Sequence, residues 1–334
     1  MKRAYFIFIL LIFLICMMIL STGIGSVFFS PMAVVKLIAN IDGPINNSSR
    51  TILLGLRMPR VILSALVGFG LGIAGAAFQG VFRNPLADPY IIGASSGASF
   101  GAAVALTAGI PFLTGAGPAV FAFAGSLCTV ILVFLVAGAG QKTPPAVSLL
   151  LAGTAVSAFL SSAVTFLLIF KSQDVIKIFY WLLGSFNNSS WNNVITVSLF
   201  LIPGSLILQA VSYDLDLMSF GDESAGSSGV SVTRVRYAVI GAATIITAAA
   251  VSVSGIIGFA GLISPHISRI IFGPLHRRLF ITSGITGAIL LVSADLVART
   301  VLYPVELPVG IITAVLGAPF FLYILNKKGK EHHS

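Results

Sequence analysis

The chain has 334 residues, 57% hydrophobic and only 9% charged, with a formal net charge of +9. Soluble domains carry about a quarter charged residues, so this composition argues against a soluble enzyme. The basic residues are scattered through many loops rather than gathered into the patch a nucleic-acid binder needs.

From the N-terminus, Lys2-Arg3 opens an apolar run that lacks a small-residue cleavage site and resumes through Phe29, which reads as an uncleaved first span over 4–29. Long apolar segments then predict spans over 57–82, 90–109, 118–139, 146–170, 193–212, 235–254, 256–273, 279–302 and 308–325, the eighth of them interrupted by Pro265-His266. Ten spans of about twenty residues take up roughly two-thirds of the chain. The expected fold class is therefore all-α: one polytopic transmembrane domain over 1–334, a polar loop at about 213–234, a tail at about 326–334, and no separate soluble domain. Cys16 and Cys128 both lie in apolar runs and support neither a disulfide framework nor a metal cluster.

With both termini on the cytoplasmic side, that side receives Lys2, Arg3, Arg83, Lys142, Arg234, Arg236, Arg269, Arg277, Arg278, Lys327, Lys328 and Lys330. The outer side receives Lys36, Arg50, Arg57, Arg60, Lys171, Lys177 and Arg299, and the bias matches the excess of basic residues usual in cytoplasmic loops. Gly68, Gly70 and Gly72, and again Gly93, Gly97 and Gly101, fall at intervals that let helices approach closely in lipid. RMPR followed by NPLADP, and TRVR followed by SGIIGFAGLISPH, share a basic start, a small-residue helix and a proline-containing break. Such a recurrence suggests two related halves.

The loops carry the more specific signals. Asn84-Pro85 and Asp88-Pro89 force a non-helical turn, because proline disfavours helix in the residue before it; a purely structural turn is the plain alternative. Asp222-Glu223, Ser224-Ala225 and Gly229 suit a short helix, a turn and a second short helix outside the membrane, where a solvated linker is the alternative. Arg57, Arg60 and Arg299 gather at the other face. A lone arginine there simply snorkels to the headgroups, and Arg299 has Asp295 one helical turn earlier. His266 stands without a second ligand at metal spacing, so no metal site is expected. The aromatic run Ile178–Gly184 reads as a short interfacial helix. The N-x-S matches at Asn46 and Asn187 carry little weight.

No phosphate-binding loop and no H-E-x-x-H motif is present, so neither ATP binding in the P-loop manner nor metalloprotease chemistry belongs to this chain. An ion-coupled secondary carrier is the alternative function, but it needs carboxylates along its pathway. Asp295 is the one acid inside the predicted spans.

In this order FRNPLADPYIIGASSGAS, LMSFGDESAGSSGVS, SGIIGFAGLISPHISRIIFGPLHRR, ADLVAR and VELPVGIITAVLGAPFF resemble the FecCD family, over about Leu56–Leu325. Its members are permease subunits of type II bacterial ABC importers for iron siderophores, haem and vitamin B12. The resemblance implies a multi-pass protein of the bacterial cytoplasmic membrane that carries a bulky metal chelate, most readily a ferric siderophore. It implies a second permease subunit, two ATP-binding subunits that use the ATP, an extracytoplasmic binding protein, no cofactor on this chain and no nucleic acid. By the same resemblance Arg57, Arg60 and Arg299 dock the binding protein, and Gly221, Asp222, Glu223, Ser224, Ala225 and Gly229 form the segment that couples to the ATPase. Asn84 and Leu86, with Ala146 and Val147, belong to a cytoplasmic gate. The sequence departs from the family at Ala146-Val147, where hydroxyl residues occur, and at Ser228, where a large apolar residue is usual.

Overall fold

A computed structural model describes residues 2–39, 47–108, 116–138, 145–170 and 175–331. Asn46, Lys142, Lys171 and the last three tail residues lie outside them. The chain begins with α1 (Lys2–Gly23), α2 (Pro31–Ile38) and α3 (Asn47–Thr51), and a π-helical turn over Ile52–Arg57 leads into α4 (Met58–Val81). There follow α5 (Ala94–Thr107), α6 (Gly117–Ala137), α7 (Ala146–Phe170), α8 (Val175–Leu182) and α9 (Trp191–Ala210). Two short helices, α10 (Ser212–Met218) and α11 (Asp222–Ser227), precede α12 (Val232–Ser254), α13 (Ala260–Phe272), α14 (His276–Thr300) and α15 (Val309–Glu331).

Each predicted span coincides with a helix, yet seven helices among the described residues are long and apolar enough to cross a membrane. Of the three that fall short, α15 counts only over Val309–Leu322, and the other two have a backbone cause. With 14 and 13 residues, α5 and α13 rise about 20 Å, short of a hydrocarbon core of about 30 Å. Non-helical chain precedes both, and each starts from a left-handed residue, Gly93 at φ 89° and Phe259 at φ 66°. The interruption expected at Pro265-His266 therefore falls earlier, at Gly255–Phe259, and Pro265 is carried inside α13. The first helix likewise stops at Gly23 rather than running to Phe29.

The core forms around α4, which packs on α14, α12, α13 and α9. Leu63, Val67, Leu71 and Phe78 of α4 are fully buried with Leu279, Phe280 and Leu291 of α14 and Val239, Ile240 and Ile246 of α12. A Cβ on Gly68 or Gly72 would run into the α14 backbone at Gly287 or Ser283, so α4 and α14 meet main chain to main chain. Close approach of this kind suits a lipid-embedded bundle, where dispersion and packing hold helices together.

The recurrence in the sequence has a structural counterpart. A long buried helix (α4, α12), a non-helical break, a short helix (α5, α13) and further long helices follow in the same order twice. The two breaks touch: the Tyr90 hydroxyl donates to the Ile257 carbonyl at 3.1 Å, and Pro89 fills the space beside Gly261.

Candidate docking and coupling sites

Arg57 and Arg60, from the start of α4, and Arg299, from the end of α14, converge at one end of α4, around a cavity of about 340 Å³ also lined by Gly25, Asn187, Tyr303 and Glu306. Their environments differ. A helix leaves its last four carbonyls without intrahelical partners, and α1 ends against two of these arginines. Arg57 Nη1 donates to Thr22 O and Gly23 O at 3.3 and 3.1 Å, while its guanidinium lies 5.3 Å from the Phe29 ring centre. Arg299 donates to Ile24 O at 2.8 Å, to the Ser21 hydroxyl at 2.7 Å and to Ser21 O.

Arg60 is set by acids instead. Its Nε and Nη2 donate to Asp295 at 2.8–3.1 Å, and its Nη1 donates to Glu306 at 2.8 Å. Asp295 is fully buried and also faces Arg299 at 3.6 Å. The i,i+4 relation of Asp295 and Arg299 is thus the weaker of its two pairings.

At the other end of α4, Arg83 takes a left-handed backbone at φ 49° and starts the proline-rich turn. Two side-chain oxygens fold this turn: Asn84 Oδ1 accepts from Leu86 N–H and Asp88 Oδ1 from Tyr90 N–H, each at 2.9 Å. Burial pushes the Asp88 carboxyl up to about 6, although the Tyr90 N–H pulls the other way. Gly153 of α7 rests on the backbone of Ile91 and Ile92, which sets the start of α7 at this same end. There Val147 is exposed and Ala146 packs partly on the core. Among the described residues no hydrogen bond joins Ala146 or Val147 to Asn84 or Leu86.

The polar loop forms two short helices with a turn between them, α10 and α11. Gly221 and Gly229, at φ 122° and 87°, bracket α11, conformations that favour glycine. Asp222 accepts from Arg83 and, at 2.7 Å, from Arg236 of α12, so one carboxylate ties α11 to both α4's end and α12's start. Burial would raise its carboxyl, but the Arg236 hydrogen bond and the charges of Arg236 and Arg83 outweigh it and hold it below the usual carboxylate range. Asp216 anchors α10 in a similar way, accepting from the His276 backbone N–H at 2.9 Å and meeting its ring at 2.6 Å.

Ala225 is the buried residue of α11, 1% exposed, and packs into the chain's own core. The outward face consists of Glu223, Ser224, Ser227 and Ser228, with Phe220 80% exposed beside them. Phe220 escaped the sequence reading, as did Glu306. A lone aromatic in an otherwise polar stretch was the available signal for the first, and none marked the second. Between this loop and α13 lies a cavity of about 600 Å³, lined by Arg83, Arg269, His266, His276 and Phe220.

Known proteins align with this chain over most of its length. Residues 10–327 match the FecCD transport family. The cobalamin import system permease protein of Halobacterium salinarum is 41% identical, over 89% of this chain and 79% of its own. An Fe(3+)-citrate import system permease protein of Bacillus subtilis is 37% identical, over 97% and 96%. The hemin transport system permease protein of Yersinia pestis is 36% identical, over 86% of each. A solved structure described as an inward-facing conformation of a metal-chelate type ABC transporter superposes with a TM-score of 0.86 at 31% identity, covering 97% of this chain and 99% of that one.

Proposed function

Since the chain belongs to the FecCD transport family, we propose that it is the permease subunit of an ATP-driven importer that takes a bulky metal chelate from a binding protein and passes it to the cytoplasm. Relatives named for cobalamin, ferric citrate and hemin share the substrate class. Within it a ferric siderophore is our reading for this chain. The permease is non-catalytic, and hydrolysis belongs to a separate ATP-binding subunit.

The geometry supports a division of labour between the two ends of α4. The arginine end faces outward and receives the binding protein through Arg57, Arg60 and Arg299. The opposite end faces the cytoplasm, with both termini, and there Gly221, Asp222, Glu223, Ser224, Ala225 and Gly229 build the coupling segment. Ten crossings are consistent with this orientation, α5 and α13 completing theirs through the non-helical chain before them. Asn84 and Leu86, together with Ala146 and Val147, form the gate when a second permease subunit brings its own copy of these residues to the pathway. The exposed apolar side of α7, with Leu151, Phe159 and Phe166, has lipid or that second subunit to cover it.

One observation carries the coupling assignment: α10 and α11 are tied by Asp216 and Asp222 to the bundle while Phe220 and Glu223 point away from it. Such a surface is unsatisfied in the isolated chain. Phe220→Asp is expected to abolish co-purification with the ATP-binding subunit while membrane insertion stays intact, because a desolvated aromatic anchor contributes much of an interface's energy. Undiminished co-purification with the variant contradicts the assignment.

The secondary-carrier alternative fares worse. Asp295, the acid it would use, is buried at one end of α4 and already takes three hydrogen bonds from Arg60, so it is engaged within the chain rather than open to a carried ion.

A further inference from the structure

The Arg60 guanidinium has three donor nitrogens, and two acids divide them unequally. Asp295 takes Nε and Nη2, and Glu306 takes Nη1 alone. The side chains step outward in exposure, 1% for Asp295, 12% for Arg60 and 37% for Glu306. Asp295 therefore fixes the guanidinium from below, and removing Glu306 would leave Arg60 where it is with one donor facing the cavity. Glu306 sits on the segment between α14 and α15, beside the exposed apolar residues Tyr303 and Val305. Arg60 is its one ion-pair contact among the described residues, and Arg299 feels its charge at longer range.

We propose that Glu306 is a built-in stand-in for the binding protein's carboxylate. It occupies the outward donor of Arg60 while the permease is undocked and yields it when an acidic residue of the binding protein arrives. The proposal rests on the docking assignment made above for the arginine end. Docking is then an exchange of carboxylates at Nη1 rather than the filling of an empty site. Arg60 never stands with an unmet donor in the cavity, which a desolvated charge tolerates poorly. The exchange also weakens the complex, so the binding protein leaves after delivery. Because Glu306 is more than a third exposed, the pair it breaks is a weak one.

The test measures binding of the cognate binding protein to the complete importer, permease with its ATP-binding subunits, in nanodiscs at low and high salt. Glu306→Gln keeps the shape and removes the competing charge. Its Kd is expected to fall about two- to fivefold at low salt, the range an exposed ion pair contributes, with the gain shrinking at high salt. In an Arg60→Gln background the same change is expected to have no effect. An unchanged or higher Kd for Glu306→Gln overturns the exchange. Should that variant fail to assemble, Glu306→Asp, which draws the carboxylate back by one methylene, must lower Kd as well, and an unchanged or raised value overturns the proposal equally. The docking assignment fails separately, if Arg60→Gln alone leaves Kd where it was.

Discussion

Asp88 shows how a single side chain trades one demand against another. Its Oδ1 must accept from Tyr90 N–H to close the turn, but ionisation is penalised by burial, and the carboxyl titrates at about 6. In the unfolded chain the same group titrates near 3.9. The folded state thus binds the proton more tightly, and the penalty grows as pH rises from about 4 to about 6, remaining in full above that. Asp88→Asn keeps an accepting oxygen without the charge. Its thermal stability is expected to exceed the parent's at pH 7.5 and to approach it at pH 4.5; a variant less stable at pH 7.5 shows that the charge itself is needed. Of such details the sequence held part. Asn-Pro and Asp-Pro announced the turn, and three arginines announced a charged end. That Arg57 and Arg299 cap α1 was hidden, because the apolar run continues past Gly23 and gives no sign of where the helix stops. The partner of Arg60 was equally hidden, since Asp295 and Glu306 lie more than 230 residues away and local spacing says nothing at that range.

Among the elements, α11 stands out because so little holds it. Six residues cannot sustain a helix alone, and its place depends on buried Ala225 and on Asp222 between Arg83 and Arg236. Arg83 directly precedes the turn of Asn84 and Leu86, so if α11 is the coupling segment proposed above, its displacement would reach that turn through one ion pair. Asp222→Ala is accordingly expected to lower substrate uptake severalfold while membrane insertion and expression stay intact. Uptake that matches the parent's at equal expression rules this link out. The carboxyl of Asp222 lies below the usual range, so its contribution is present above about pH 4 and is lost only as pH falls through its folded value. Uptake assays between pH 6 and 8 leave it unaffected. The acids and glycines of Asp222 to Gly229 made α11 legible as a short helix, whereas α10 precedes the residues that carried that reading. Long apolar helices were legible too, by hydropathy. The shortness of α5 and α13 was not, because their apolar character extends through the non-helical chain before them, and hydropathy registers apolar residues whatever backbone they adopt.

Over the described residues, the ion pairs gather near the two ends of α4, while the core between them is packed glycine, alanine and aliphatic side chains. Energy therefore has to enter from an end. On the assignment proposed above, the cytoplasmic entry would be α11 with Phe220 and the outer one the arginine cavity. A carrier driven by an ion gradient would place its titrating groups midway instead. The most direct measurement is uptake into proteoliposomes that hold the permease with its ATP-binding subunits, supplied with binding protein charged in turn with a ferric siderophore, haem and cobalamin. Uptake of one of these chelates is predicted to require internal ATP and to continue when proton and sodium gradients are collapsed. Uptake by the permease without any ATP-binding subunit, abolished by an uncoupler, would contradict the account.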